Sequence, residues 1–356
     1  MSQPLEKIKP EVRALKAYSL SPHRASIKIN QNENPFDLPS AVKHEVLRRF
    51  AMRAWSRYPD FAPTRLLEHL SEFAGWPSDG LLAGNGSNEL IQALLIVTLK
   101  EGKRVLICEP TFALYRQVST VLCAEVTSVP LNADLQFDFV ALQKAIKELQ
   151  PDVTIICSPN NPTGSVIDDE DLSRLLERSD GLIVIDEAYH EFAQHSVVRL
   201  LSQFRNLIVL RTFSKAMALA GMRVGYLLAD PQLVREIGKA LLPYNLNVFS
   251  QTAAEVALEM YETELRPAIE TIIDERQRLF LELQKIQGLK PIASRANFMI
   301  VETSIKPKRV FQELLNRDIL IRDVSSYPML RNYFRVSVGT PEENDVLITA
   351  LKEIVV

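Results

Sequence analysis

A lysine between two hydroxyls is where chemistry first becomes legible in this chain. The stretch Thr212-Phe213-Ser214-Lys215-Ala216 follows the apolar run "NLIVL", and a second apolar run, "RVGYLLAD", comes soon after it. Arg223 opens that second run. A lysine in such a place is either a satisfied surface charge or an amine in a dry site, where desolvation favours the neutral nucleophile. Thr212 and Ser214 can donate hydroxyl hydrogen bonds, and Arg223 adds a planar cationic fork. With Ser87 and Asn88 they make a set suited to a phosphate. Those two residues belong to "GNGSNE", residues 84–89, at the start of an apolar helical pattern. Glycines there let the backbone approach a ligand closely, and a helix start offers free amides to an anion. No Gly-Lys-Ser/Thr ending follows, so this is not a Walker loop, and a simple helix cap would read the same way.

Two further polar residues follow apolar runs. Asp186 comes directly after "LIVI", and Asn161 sits in "NNPTG" after "VTIICSP". Each has a plain alternative. Asp186 could cap the next helix, and an Asn-Pro-Gly cluster makes an ordinary turn. Set beside Lys215 they acquire a common meaning. A lysine that can form a Schiff base, an acid that keeps a pyridine nitrogen protonated, and donors for a phosphate are what pyridoxal 5'-phosphate requires. The five histidines show no metal-ligand spacing, and His190 and His195 read as structural, so no metal is expected.

The elements that must position these residues alternate. From about residue 81 the helical pattern "SNELIQALLIVTLK" is followed by the strand "RVLIC", the helix "PTFALYRQVSTVLC", the strand "AEVTSVPL" and the helix "FVALQKAIKELQ". Then come strand "DVTIICSP", helix "DEDLSRLLERS", and strands "GLIVIDEAY", "NLIVLRTFS" and "RVGYLLAD". This order predicts an α/β fold with a mostly parallel sheet covered by helices on both faces. In such sheets ligands bind beyond the carboxyl ends of the strands, where the candidate residues lie. A charged stretch from about Thr252 to Gln287 reads as one long helix. After it, "ANFMIVET", "PKRVFQELLNRD", "ILIRDV", "YFRVSVG" and "PEENDVLITALKEIVV" predict a smaller α+β unit that the N-terminal segment joins. The predicted domains are residues 46–255 for the large one, and 1–45 with 256–356 for the small one.

Composition narrows the function. The chain has 356 residues, 47% hydrophobic and 24% charged, with a formal net charge of -3 and no block of like charge. That argues against a nucleic-acid or membrane-surface partner. The longest apolar stretch, "LIQALLIVTL", is too short to span a bilayer, and the polar start has no apolar signal core. Cys108, Cys123 and Cys157 read as reduced thiols of a cytoplasmic protein.

The motifs resemble a known family. "NNPTG", then Asp-Glu-Ala-Tyr, then Ser-Lys-Ala, then Gly-x-Arg-x-Gly resemble the fold-type-I pyridoxal-phosphate aminotransferases. More narrowly, "NQNENPF", "RYPDF", "GNGSNELI", "DEAYHEF", "TFSKAMALAGMRVGY" and "YFRVSVGT" are similar to the histidinol-phosphate aminotransferases, over nearly the whole chain. The resemblance implies that Lys215 is the Schiff-base lysine and proton carrier, and that Asp186 pairs with the pyridine nitrogen. It implies that Tyr189 and Asn161 bond the cofactor's 3-oxygen, and that Phe112 stacks on the ring, with Tyr115 as the rival. Ser87, Asn88, Thr212, Ser214 and Arg223 would hold the phosphate. Tyr58 would reach the cofactor of a neighbouring subunit, which implies a homodimer with shared active sites. Met217-Ala218 departs from the aromatic-Gly pair usual after Ser-Lys-Ala.

Arg335 lies in a predicted strand, where a charge is costly unless paired. It is either a structural salt bridge or, by the resemblance, the fork for the substrate's anionic group. Arg322 is a second candidate, although Asp323 beside it offers a partner. The N-terminal match places Tyr18 and Asn32 over the substrate. The implied activity is amino-group exchange between L-histidinol phosphate and 2-oxoglutarate or glutamate, a step of histidine biosynthesis. An aromatic amino-acid aminotransferase, a phospho-amino-acid decarboxylase of the same fold, and a non-catalytic metabolite-binding regulator are the alternatives.

Overall fold

Strands buried along nearly their whole length build the sheet that carries the site. The computed structural model describes residues 4–17 and 23–355, so Tyr18 lies outside the described residues. A short strand, β1 (Ile27–Lys28), precedes the main sheet. That sheet contains β2 (Leu81–Gly84), β3 (Arg104–Glu109), β4 (Glu125–Pro130), β5 (Val153–Cys157), β6 (Leu182–Asp186), β7 (Leu207–Thr212) and β8 (Gly225–Ala229). Their order is β2-β8-β7-β6-β5-β3-β4. The run β7-β6-β5-β3-β4 is parallel. β8 is antiparallel to β7, and β2 is antiparallel to β8.

Odd and even residues of the strands feed two different cores. Leu106, Cys108, Ile183, Ile185 and Val209 join one apolar cluster. Val105, Ile107, Val184, Ile208 and Leu210 join another on the opposite face. Both faces are therefore dry, which explains the unbroken apolar runs of the sequence. β2 was not expected. Its four residues, "LLAG", are too few to show a period.

The remaining strands form the smaller unit. β9 (Leu289–Pro291), β10 (Phe298–Thr303), β12 (Arg322–Asp323) and β13 (Tyr333–Ser337) make an antiparallel sheet in the order β12-β13-β10-β9. β11 (Ile319–Leu320) pairs in parallel with β1, so the N-terminal segment packs on the C-terminal unit. The expected cut points at 45/46 and 255/256 fall inside the helices Ser40–Ala51 and Val248–Glu259. The division into two domains there remains a proposal.

The single long helix expected over 252–287 is two. Val248–Glu259 ends before a π-helical turn, Tyr261–Leu265, and a second helix runs Arg266–Gln284. Pro267 sits in the first turn of the second helix. Its missing N–H and its ring forbid an unbroken ladder through that point but suit a helix start. Among the described residues no helix is long and apolar enough to cross a membrane.

Candidate active site

Five loops at the carboxyl ends of the main sheet, with one strand edge of the smaller unit, enclose a cavity of about 490 Å³. Phe112 follows β3, Asn161 follows β5, Asp186 ends β6, and Thr212, Ser214 and Lys215 follow β7. Ser87 and Asn88 open the helix Ser87–Thr98 on the same wall, and Tyr189 and Arg223 also line the cavity. From the smaller unit come Asn32, Arg322 and Arg335. Among the described residues, every candidate named from the sequence except Tyr58 therefore faces one space.

Lys215 Nζ donates to the carbonyl of Gln31 at 2.9 Å. Burial, aided by the positive charge of Arg335, lowers its pKa to about 8. An ammonium with little solvent and cationic neighbours is disfavoured, so near neutrality this lysine is a usable base. In the cofactor-free protein, an amine-specific reagent should label Lys215 with a pH midpoint near 8. Below that pH the group is charged and unreactive; above it the free amine dominates. Peptide mapping across a pH series checks this, and a midpoint above 10, near that of an ordinary lysine, would refute it.

Asp186 is 4% exposed. Its Oδ2 accepts from the Tyr115 hydroxyl at 2.6 Å, and its Oδ1 accepts from the Ala188 amide at 3.1 Å. Burial pushes the carboxyl's pKa up, and these two donors oppose that shift. Tyr115 is fully buried and meets Phe112 edge to face, with ring centroids 5.6 Å apart. Tyr189 is buried, and its hydroxyl accepts from Asn32 Nδ2 at 3.0 Å. Burial pushes that phenol up as well. Asn32 itself has φ of 57°, a left-handed conformation that asparagine tolerates better than most residues. Its amide N–H donates to Ser337 Oγ at 2.9 Å, and its carbonyl accepts from Asn297 Nδ2 at 3.0 Å.

Arg335 ties β13 to two loops. Its Nη1 donates to Asn161 Oδ1 at 2.6 Å and its Nη2 to the Asn30 carbonyl at 2.8 Å. The guanidinium carbon lies 5.2 Å from the Phe298 ring centroid. Arg322, in β12, is the direct register partner of Arg335. Like charges opposite one another across two strands repel.

A second group of cavity residues consists of small donors. Thr212 Oγ1 donates to Ser214 Oγ at 3.0 Å, and Arg223 Nη1 donates to the same Ser214 oxygen at 3.2 Å. Two glycines make the room. Gly86 has φ of 81°, and a Cβ there would sit 2.5 Å from Arg223 Nη2. A Cβ on Gly225 would sit 2.3 Å from the Ser87 amide nitrogen. No side chain caps the helix Ser87–Thr98, so its first amides stay available to an anion.

Tyr58 lies apart. It is 80% exposed and stacks on Tyr244 at 4.5 Å between centroids, with Phe61 edge-on to the same ring. The described chain does not bring it to its own cavity.

Sequence reasoning missed several residues. Gln31 and Asn30 act through backbone carbonyls, which residue type does not announce. Tyr115 differs, since the sequence named it as the rival of Phe112 for the stacking place, and only its hydrogen bond to Asp186 went unread. Also missed was a buried brace behind the cavity. Arg211 Nε donates to Glu187 Oε2 at 2.9 Å, its Nη2 donates to Ser196 Oγ at 2.6 Å, and both charged residues are buried. Each is the chain neighbour of a cavity residue, Thr212 and Asp186. Arg211→Met leaves the Glu187 carboxylate buried without its cation and should cost about 3–5 kcal/mol in urea unfolding. Pairing it with Glu187→Leu should recover much of that loss, because no lone charge then remains inside. A cost below about 1 kcal/mol for the single change would show that the brace contributes nothing.

Comparison with known proteins places the chain. Residues 24–351 match the family described as aminotransferase class I and II. The chain belongs to the class I and II aminotransferase family. This aminotransferase is 42% identical to a histidinol-phosphate aminotransferase of Chlorobium phaeobacteroides over 98% of this chain and 96% of the relative. It is 43% identical to histidinol-phosphate aminotransferase 1 of Carboxydothermus hydrogenoformans over 96% of each. Its fold superposes with a TM-score of 0.89 on the histidinol-phosphate aminotransferase of Sinorhizobium meliloti, which was solved with pyridoxal-5'-phosphate. That pair is 23% identical and covers 98% of this chain and 97% of the other.

Proposed function

We propose that this aminotransferase exchanges the amino group between L-histidinol phosphate and 2-oxoglutarate or glutamate, with pyridoxal 5'-phosphate as cofactor. One observation carries the reading: a single cavity is lined by Lys215, Asp186, a group of small donors with Arg223, and the arginines Arg322 and Arg335. Ser87, Asn88, Thr212, Ser214 and Arg223 form a cradle that glycines keep open, which fits the cofactor's phosphate. Arg322 and Arg335, which also line the cavity, face each other across two strands, and an anion between them would offset their repulsion. Histidinol phosphate has no α-carboxylate, so its phosphate would use the arginines that take a carboxylate of glutamate. Full-length relatives that carry this name support the substrate.

When bound, the cofactor supplies an electron sink for the charge that develops at the substrate's Cα. The chain's residues do the rest. Lys215 Nζ takes the Cα proton in its neutral form and later returns it. Asp186, as a carboxylate, would pair with the pyridine nitrogen and hold its proton there. Tyr189 and Asn161 would bond the cofactor's 3-oxygen, and Phe112 would stack on the ring. Asn32 fixes Tyr189, and Tyr18 would close over the substrate. Tyr58, exposed within an aromatic group, would complete the site of a second copy in a homodimer. Three free cysteines suit a reducing cytoplasm.

The test is single-turnover spectroscopy of the cofactor-loaded protein without acceptor. Histidinol phosphate, phenylalanine, tyrosine and threonine phosphate are each mixed with it, and loss of the bound cofactor's visible band is followed. Rapid loss with histidinol phosphate alone is the expected result. Preference for the aromatic donors would overturn the substrate, and carbon dioxide release from threonine phosphate would favour a decarboxylase.

A further inference from the structure

Tyr115 is a buried phenol that no role assigned so far explains. Its side chain is fully buried, yet its hydroxyl is spent on one atom, Asp186 Oδ2, at 2.6 Å. That separation falls in the short range of hydrogen bonds to a charged oxygen, about 2.5–2.7 Å. Asp186 Oδ1 takes the Ala188 amide at 3.1 Å. The carboxylate is thus held from two sides, which fixes its rotation. The remaining lone pairs are left for the cavity that Asp186 lines.

The groups facing this carboxylate explain why a donor is needed. Glu187 adjoins it in the chain, the Cys157 thiol is its register partner on β5, and the Tyr115 and Tyr189 phenols lie nearby. Lys215 is a nearby cation. Burial pushes the carboxyl towards its neutral form, Glu187 adds to that push, and the Tyr115 donor is the leading opposing contact. Burial also keeps Tyr115 itself protonated, so it remains a donor.

We infer that Tyr115 is a positioning residue that keeps Asp186 ionised and oriented, and thereby sets the protonation of the cofactor's pyridine nitrogen. The inference rests on the reading of Asp186 given under the proposed function. It assigns Tyr115 a place distinct from stacking, because its ring meets Phe112 edge-on while its hydroxyl acts on the acid.

Tyr115→Phe keeps the ring and removes only the donor. The variant is loaded with ¹⁵N-labelled pyridoxal 5'-phosphate. The pH midpoint of the pyridine nitrogen is read by NMR, and cofactor affinity by equilibrium dialysis. The midpoint should fall by about one pH unit, and the Kd should rise about tenfold, for loss of one hydrogen bond to a charge. Asp186→Asn should move both further, and the double variant should match Asp186→Asn alone, as expected for a residue acting through Asp186. If Tyr115→Phe changes neither quantity while Asp186→Asn changes both, the inference is overturned and the Asp186 reading stands. If Asp186→Asn also changes neither, that reading fails and takes the inference with it. Additive losses in the double variant would show that Tyr115 acts by another route. Should the phenylalanine variant fail to fold, 3-fluorotyrosine placed at position 115 provides the second test. Its more acidic phenol should raise the midpoint, and an unchanged value would overturn the inference.

Discussion

Replacing Lys215 with alanine should lower single-turnover amino transfer by at least about 10⁴-fold, near the upper limit for loss of a positioned proton carrier. The expectation rests on place as much as on residue type. Lys215 Nζ sits against the Gln31 carbonyl in the same cavity as Asp186 and the phosphate cradle. Burial and Arg335 bring its pKa down to about 8, so about a tenth is free amine at pH 7, against well under a thousandth for an ordinary lysine. Lys215→Arg should be as inactive as alanine, because a guanidinium is never neutral in this range. A small amine such as methylamine should restore part of the rate in the alanine variant, since the truncation leaves space for it. Retention of activity within tenfold of the parent would remove Lys215 from the chemistry.

Replacing Arg335 with alanine should lower kcat/KM for histidinol phosphate by roughly 100-fold or more, the loss of a charged, two-pronged contact. The arginine also holds Asn161 Oδ1 at 2.6 Å, so its loss releases a residue on the cofactor side of the cavity. Both kcat and KM should therefore suffer. Arg335→Lys should recover little, because an ammonium cannot reproduce the fork that spans Asn161 and the Asn30 carbonyl. Arg322→Ala should cost less, about tenfold, since Arg322 is only half-buried and carries no such bridge. Steady-state rates with histidinol phosphate and with glutamate check these values. Unchanged activity of Arg335→Ala would end its assignment to the substrate's anion.

Much of this protein was determined by sequence alone, and for a definable reason. A parallel sheet buried on both faces imposes continuous apolar runs such as "VTIIC" and "LIVI", and the residue after each run is carried to the ligand edge. Asp186, Asn161 and the Thr212–Lys215 stretch could be named because strand ends are local features. The glycines of "GNGSNE" could be read for the same reason. Pairings between distant segments were settled only by the tertiary structure. Arg322 lies opposite Arg335 because β12 and β13 share a register, and Arg335 meets Asn161 because two sheets converge on one cavity. Neither relation leaves a periodic trace in the chain. The antiparallel turn of β8, the added strand β2 and the break at Tyr261–Leu265 are of the same kind. They depend on which neighbour supplies the hydrogen bonds, and short segments carry too few side chains to declare it. Tyr115 shows the limit most plainly. From sequence it is one of two aromatic rings on a single helical turn. Only the fold, which places β6 beneath that turn, puts its hydroxyl on Asp186.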